Sequence, residues 1–330
     1  MNPQKSEASV SDKVGSVLIL GGGLGGIQAS LDLAESGYYV YLVEESPAIG
    51  GVMPQLDKTF PTNDCSMCIL SPKLVECGRH HNIQVMTHSR ADDIQGTPGD
   101  FTVSILREPR YVDANRCIGC GICAEKCPAK VLNAFDRGLS KRKAIYVPYP
   151  QAVPLIYAID KPHCLYFKKG KCRLCEKFCP SHAIDFDQQQ EEVVVHVGAV
   201  IMAPGFDEFK VNSGKLSQHG YTSLISQYGY DKYPNVVTSV EFERILSASG
   251  PYKGHLLRPS DHQPPSKIAW IQCVGSRDIT CDSGYCSSVC CMAAIKEAVI
   301  AKEHSSVPLD VTVFYMDMRT HGKGFDKYYE

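Results

Sequence analysis

Cys117, Cys120, Cys123 and Cys127, closed at once by Pro128, constrain this chain more than anything else in it. They spell C-x2-C-x2-C-x3-C-P, the spacing at which three thiolates grip one [4Fe–4S] cube and the fourth reaches across to a second. A second run, Cys164, Cys172, Cys175 and Cys179, closed by Pro180, completes the arrangement. Short spacers let three sulfurs converge from one turning loop, and Gly119 and Gly121 let the backbone come close to the cluster. In a small secreted chain, sixteen cysteines would suggest a disulfide framework. In 330 residues with metal-ligand spacings that reading is the alternative, and electron handling is the expectation.

A nucleotide site is legible upstream. Val17 to Leu20 reads as a strand and runs into Gly21-Gly22-Gly23-Leu24-Gly25-Gly26. A helix is expected from about Gly25 to Ser36, and Tyr39 to Val43 reads as the next strand, closing on Glu44. Gly21, Gly23 and Gly26 form the G-x-G-x-x-G fingerprint, with Gly25 beside them. Glu44 stands 23 positions after Gly21, near the roughly 20 expected of an acid on a ribose hydroxyl. The fingerprint alone is weak; between a strand and a helix, with its acid in place, it is strong. A glycine-rich turn without a ligand is the bland alternative. The Gly50-Gly51 pair after Glu44, and VGAVIMAPG ending on Gly205, resemble two-dinucleotide-domain flavoproteins of the thioredoxin reductase type, which implies FAD rather than NAD.

NIQVMT and FTVSIL, with the turn Gly96-Thr97-Pro98-Gly99 between them, predict a β-meander over 83–105. The cysteine runs look inserted into the flavin pattern, and C-P-A-K-V-L and C-P-S-H-A-I mark them as an internal repeat. Lys141, Arg142 and Lys143 read as a solvated loop, and Asp207 to Pro265 as long loops around one helix, Val240 to Ser249. The expected layout is a polar tail over 1–14, a flavin domain over 15–108 and 186–265, an inserted two-cluster domain over 109–185, and a partial second Rossmann-like domain over 266–330.

The strand Lys267 to Gln272 leads into Cys273 where a second glycine loop would be expected. Cys273, Cys281, Cys286, Cys290 and Cys291 fall within nineteen residues, ahead of a helix expected over Met292 to Lys302. A third redox cluster is the reading; zinc and buried structural cysteines are the alternatives. Cys65 and Cys68, with Cys77 nearby, are read as structural or flavin-packing residues in preference to a redox disulfide, and His80 and His81 as surface or cap residues.

Charge narrows the partners. A net charge of −2 and a pI near 6.6 give no nucleic-acid surface. Met1 to Lys13 lacks the apolar stretch of a secretory signal, and no window reaches the roughly 18 apolar residues of a membrane span. A reducing cytoplasm is expected.

The segments GGGLGG, VEESPAIGG, FPTNDCSMCILSPKLVE, WIQCVGSRD and YCSSVCCMAAIKEA, with the inserted cysteine runs, together resemble the A subunit of heterodisulfide reductase, from about residue 15 to 325. The resemblance implies a thioredoxin-reductase-like α/β fold carrying FAD, an inserted two-cluster ferredoxin and one unusual [4Fe–4S] cluster. It implies that Cys117, Cys120, Cys123 and Cys179 hold one cube and Cys164, Cys172, Cys175 and Cys127 the other. The unusual cluster falls to Cys273, Cys286, Cys290 and Cys291, leaving Cys281 spare. It further implies an oxidoreductase active within a complex, with B- and C-like subunits, a ferredoxin or a hydrogenase or dehydrogenase donor, flavin-based bifurcation and a homodimer. Family members continue past the strand VTVFYM, so a fragment or split subunit is expected. The other readings are an NAD(P)H-dependent flavoprotein like the small subunit of glutamate synthase, and a flavin-free electron relay.

Overall fold

The protein is seen in a computed structural model that describes residues 15–208, 228–279 and 283–330. The polar tail, part of the stretch after Asp207, and Cys281 lie outside the described residues. The chain divides into two units. The first combines Met1–Met53, Leu70–Val131 and Arg142–Gly205; the second combines Pro54–Ile69, Leu132–Lys141 and Phe206–Glu330.

The first unit is built on a parallel sheet. Aliphatic strands β1 (Ser16–Leu20) and β2 (Tyr39–Glu44) are joined by helix α1 (Leu24–Glu35), which turns Ile27, Leu31 and Ala34 inward. Helix α2 (Ser66–Arg79) then leads to β3 (Ile83–Thr87), which pairs in parallel with β2, Val40 opposite Ile83. The predicted meander is therefore wrong in part. NIQVMT joins the nucleotide sheet, and the Gly96 to Gly99 turn links β5 (Asp100–Arg107) to a strand the sequence reading missed, β4 (Ser89–Thr97). The segment SRADDIQGT is polar and mostly exposed, so it carries no alternating apolar signal.

Two short strand pairs follow in the cysteine-rich part. Strands β6 (Lys130–Leu132) and β7 (Lys141–Lys143) form one ribbon, and β8 (Ile145–Tyr146) pairs with β9 (Ala158–Ile159). Here the basic run is not a solvated loop. Arg142 is largely covered, lies 3.6 Å over the Tyr146 ring and donates to Asp160 Oδ2 at 2.7 Å, while Lys143 Nζ donates to Cys127 O at 2.5 Å. The chain returns through β10 (Glu191–Val197), antiparallel to β5, and β11 (Ala199–Met202), which completes the parallel sheet beside β1. Leu18, Val43 and Met86 of the parallel sheet pack against Val103, Ile105, Val195 and Val197 of the antiparallel one in a single apolar cluster.

In the second unit, helix α6 (Ser239–Leu246) begins earlier than expected, because Thr238 and Glu241 form a reciprocal capping box, and ends at Leu246 rather than Ser249. Strands β12 (Lys267–Ile271) and β13 (Asp310–Phe314) pair in parallel and are connected through helix α7 (Cys290–His304). Phe242, Ile245, Leu246, Leu256 and Ile300 form the core, with Trp270 packed edge-on against Phe242.

Charges are buried there too. Arg244 Nε donates to Asp136 Oδ1 at 2.9 Å, and Lys296 pairs with Glu243 at 2.5 Å. Fully buried Glu297 accepts from Trp270 Nε1 at 2.8 Å and from Ser239 Oγ. Burial first, and the Glu243 carboxylate second, hold the Glu297 carboxyl well above the usual carboxylate range. A folded value above the unfolded one, about 4.3, gives a contribution that is full at low pH and lost as pH rises. Glu297→Gln is therefore expected to flatten the fall in Tm between about pH 5 and about pH 8. An unchanged slope in a thermal melt would show that this carboxyl ionises freely.

Candidate functional site

The nucleotide cradle is assembled at backbone contact. Gly21 turns the chain at φ +110°, and a β-carbon there would meet Ala203 O at 2.0 Å. One on Gly26 would meet Gly21 O at 1.9 Å. At Gly25, by contrast, nothing lies within 4 Å of that position. Gly23 caps α1 without a side chain, and the first turn of that helix contains no acid, so its leading N–H groups are available to an anion. Gly50 N–H donates to Gly22 O at 2.7 Å, and Gly51 sits so close to Gly23 that a β-carbon would come 2.9 Å from its Cα. Gly205, at φ +71°, follows β11 with open space around it.

Glu44 closes β2. Its Oε2 accepts from Gly22 N–H at 2.7 Å, and its Oε1 from Ser46 N–H at 2.8 Å and Ser46 Oγ at 2.5 Å. These bonds fix the carboxylate at the glycine turn and leave acceptor capacity for a ribose hydroxyl. Open N–H groups, a bare Gly25 and an anchored acid fit a dinucleotide pyrophosphate and ribose.

Other residues hold this cradle that the sequence reading missed. Arg110 donates to Pro47 O at 2.6 Å and to Thr87 Oγ1 at 2.5 Å; its burial lowers its pKa to about 10. Ile49 N–H donates to Val153 O at 2.9 Å, and Tyr149 Oη donates to Ile49 O. No spacing rule marks these residues, since each acts through a long-range backbone contact.

The eight cysteines of the two runs fall into two groups. Cys117, Cys120, Cys123 and Cys179 line one pocket, with Val112, Tyr157 and Ala183 among its walls. Cys127, Cys164, Cys172 and Cys175 line another, walled by Ile145, Ile159 and Leu174. Each cavity thus takes its fourth cysteine from the other run. Burial, then neighbouring thiols among the further causes, pushes Cys123 and Cys175 up to about 12. Burial also raises Cys179, but N–H donors led by Ala183 at 3.3 Å outweigh it, and the net shift is downward. The raised thiols of Cys123 and Cys175 ionise readily only against a compensating cation. Four sulfurs in an aliphatic cavity fit an iron–sulfur cube.

Cys273, Cys286, Cys290 and Cys291 are gathered in the second unit. Cys290 and Cys291 open α7 rather than precede it, so the helix starts two residues before the expected Met292. Burial, then Cys290 and Cys286 among its neighbours, raises Cys273; burial raises Cys291, where Cys290 and Cys273 also act. Arg277 reaches Cys273 and Arg319 reaches Cys286, and both guanidiniums bond to Asp317. Among the described residues, no three or more His, Cys, Asp or Glu side chains surround a point fit for a single metal ion. Cys65 and Cys68 form a disulfide, Cys77 is buried, and His80 Nδ1 accepts from Asn82 N–H at 3.1 Å. No helix among the described residues is long and apolar enough to cross a membrane.

Known proteins match both halves of this picture. Residues 16–63 match the FAD dependent oxidoreductase family, and residues 110–133 match the 4Fe-4S binding domain family. The iron-sulfur A subunit of the CoB–CoM heterodisulfide reductase of Methanocaldococcus jannaschii is 49% identical over 314 residues, covering 95% of this chain and 45% of that one. A protein of the same description from Methanopyrus kandleri is 50% identical over 313 residues, again covering 95% and 45%. The A subunit of the H(2):CoB-CoM heterodisulfide,ferredoxin reductase of Methanothermobacter marburgensis is 45% identical over 327 residues, covering 99% and 47%. The chain spans about half the length of the curated relatives it matches. Identity at this level, sustained from the glycine turn through the last cysteine group, makes the chain similar to the heterodisulfide reductase A subunits over the part of their length that it spans.

Proposed function

We propose that this chain is the flavin and iron–sulfur electron-transfer part of a heterodisulfide-reductase-like oxidoreductase in the cytoplasm. The observation that carries the reading is the presence, in one compact unit, of an open glycine cradle and two cavities each lined by four cysteines. When bound, FAD supplies exchange between electron pairs and single electrons, and [4Fe–4S] clusters supply one-electron transfer. The chain's own part is to hold and tune. Gly21, Gly23, Gly25 and Gly26 admit the pyrophosphate, Glu44 fixes the ribose, and Gly50, Gly51 and Gly205 keep the backbone close. Cys117, Cys120, Cys123 and Cys179 hold one cube, and Cys127, Cys164, Cys172 and Cys175 the other. Cys273, Cys286, Cys290 and Cys291 hold a third, unusual cluster, with Arg277 and Arg319 offsetting its negative charge. In this reading B- and C-like subunits carry the disulfide chemistry, a ferredoxin, hydrogenase or dehydrogenase exchanges electrons with the assembly, and the complex is a homodimer that bifurcates electron pairs.

Anaerobic purification tests it. Bound flavin should appear in the absorbance spectrum, and iron and sulfide should each approach about twelve per chain, four for each of three cubes. About eight irons would remove the third cluster, and zinc in place of the missing iron would assign that site to zinc. Clusters without flavin would make the chain a relay, and bleaching by NADPH alone would favour a pyridine-nucleotide enzyme.

A further inference from the structure

The disulfide of Cys65 and Cys68 shares no residue with any of these sites. Both residues are exposed, they are three apart in sequence, and their Cα atoms are 5.2 Å apart. Cys65 caps α2: its carbonyl accepts from Ile69 N–H at 3.2 Å, and its Sγ accepts from Cys68 N–H at 3.2 Å. A sulfur at a helix start that already accepts a backbone N–H is placed where a thiolate is stabilised. Its approach is also fixed. Lys58 bridges to Cys65, Thr59 N–H donates to Asp64 O at 2.8 Å, and Ser66 N–H donates to Asp57 O at 3.2 Å. Ser66, between the two cysteines, is fully buried with no partner for its Oγ, an unanswered donor inside the motif. Cys77 on the same helix shows the opposite condition: fully covered and pushed up to about 12 by burial, it is packing.

A structural role explains this bond poorly. A link across one helical turn closes a very short loop, so it constrains the unfolded chain least of all disulfide types. Exposure leaves both sulfurs open to attack. We propose that Cys65 and Cys68 form a thiol–disulfide exchange couple, with Cys65 the attacking sulfur and low-molecular-weight thiols and their disulfides the exchange partners. In the forward direction the Cys65 thiolate attacks one sulfur of RSSR, giving a Cys65–SR mixed disulfide and releasing RS⁻. The Cys68 thiolate then attacks Cys65 Sγ, forming the Cys65–Cys68 bond and releasing the second RS⁻. The two protons of the dithiol end on two RSH, two electrons pass to RSSR, and two equivalents of RSH reverse the sequence.

The test uses the whole anaerobically purified chain, equilibrated with mixtures of reduced and oxidised glutathione, quenched in acid and differentially alkylated. Mass spectrometry of the peptide holding residues 65 and 68 should show the folded pair passing from mostly dithiol to mostly disulfide across the series. A pair that stays oxidised until denaturant is added is structural, and one that stays reduced throughout forms no couple; either result overturns the proposal. In Cys68→Ser, glutathione disulfide should trap a mixed disulfide on Cys65 at least about tenfold faster than on Cys68 in Cys65→Ser. Equal rates would overturn the assignment of Cys65. If either variant misfolds, the wild-type titration still decides. Neither readout depends on flavin or iron, so failure here leaves the electron-transfer reading standing, and the reverse holds too.

Discussion

Cys175→Ser is expected to remove about four irons per chain and to loosen the segment from Tyr111 to Phe186, leaving the parallel sheet intact. The core of that segment is small: Tyr111, Val112, Ile145, Ile159, Ala183 and Phe186, with Cys123 among them and Cys117, Cys127, Cys164, Cys175 and Cys179 packed against it. Its helices α3 (Ile122–Lys126), α4 (Leu165–Lys169) and α5 (Leu174–Lys177) have five residues at most, and β8 and β9 have two each. Pieces this short have no stability of their own, and a core of this size seldom suffices without a metal or disulfide staple. Metal binding then becomes folding free energy. Hydrogen exchange should show lost protection at Asp113 N–H and Asp185 N–H, which bond to Ala183 O and Tyr111 O across the core. Val40, Leu42 and Val17 in the sheet should keep theirs. Because each cavity borrows one cysteine from the other run, loss of about eight irons would mean that the two cubes stand or fall together. Unchanged protection with iron gone would show a core sufficient on its own.

What could be read from the sequence follows from the range of the forces involved. The cysteine runs and the glycine fingerprint were legible because ligand convergence and backbone approach both demand fixed local spacing. The strand of Ile83–Thr87 was legible as a strand but not as a neighbour of β2, since pairing is a tertiary choice. Polar β4 gave no periodic signal at all. Arg142 looked solvated because its partner, Asp160, lies eighteen positions away and Tyr146 covers its face. The brace from Tyr149 and Val153 onto Ile49 spans about a hundred residues and left no local mark. In the third cysteine group the residues themselves were evident, but the earlier start of α7, which puts Cys290 and Cys291 in its first turn, was not. Nor were the two guanidiniums held by Asp317, because their placement depends on the chain after β13.

Gly25→Ala and Gly26→Ala should separate the fold from the flavin site. A methyl on Gly26 would lie 1.9 Å from Gly21 O and 3.1 Å from its carbonyl carbon, and neither backbone atom can swing aside as a side chain can. Helix α1 must shift from β1, an overpacking cost of about 1–3 kcal/mol, read as a Tm lower by roughly 2–12 °C. Flavin should be lost with it. Gly25 sits one position earlier in the same turn, yet its methyl would point into space empty to 4 Å. Alanine there relieves the helix penalty of glycine, about 0.8–1 kcal/mol, so stability should hold or rise. The same methyl occupies the surface where a pyrophosphate must approach the N–H groups of α1, and bound flavin should fall at least about tenfold. Loss of flavin with Tm preserved would locate the cofactor at Gly25 independently of any effect on folding. Full flavin content in Gly25→Ala would refute this placement of the pyrophosphate, and Glu44 would then lose its assigned role on the ribose.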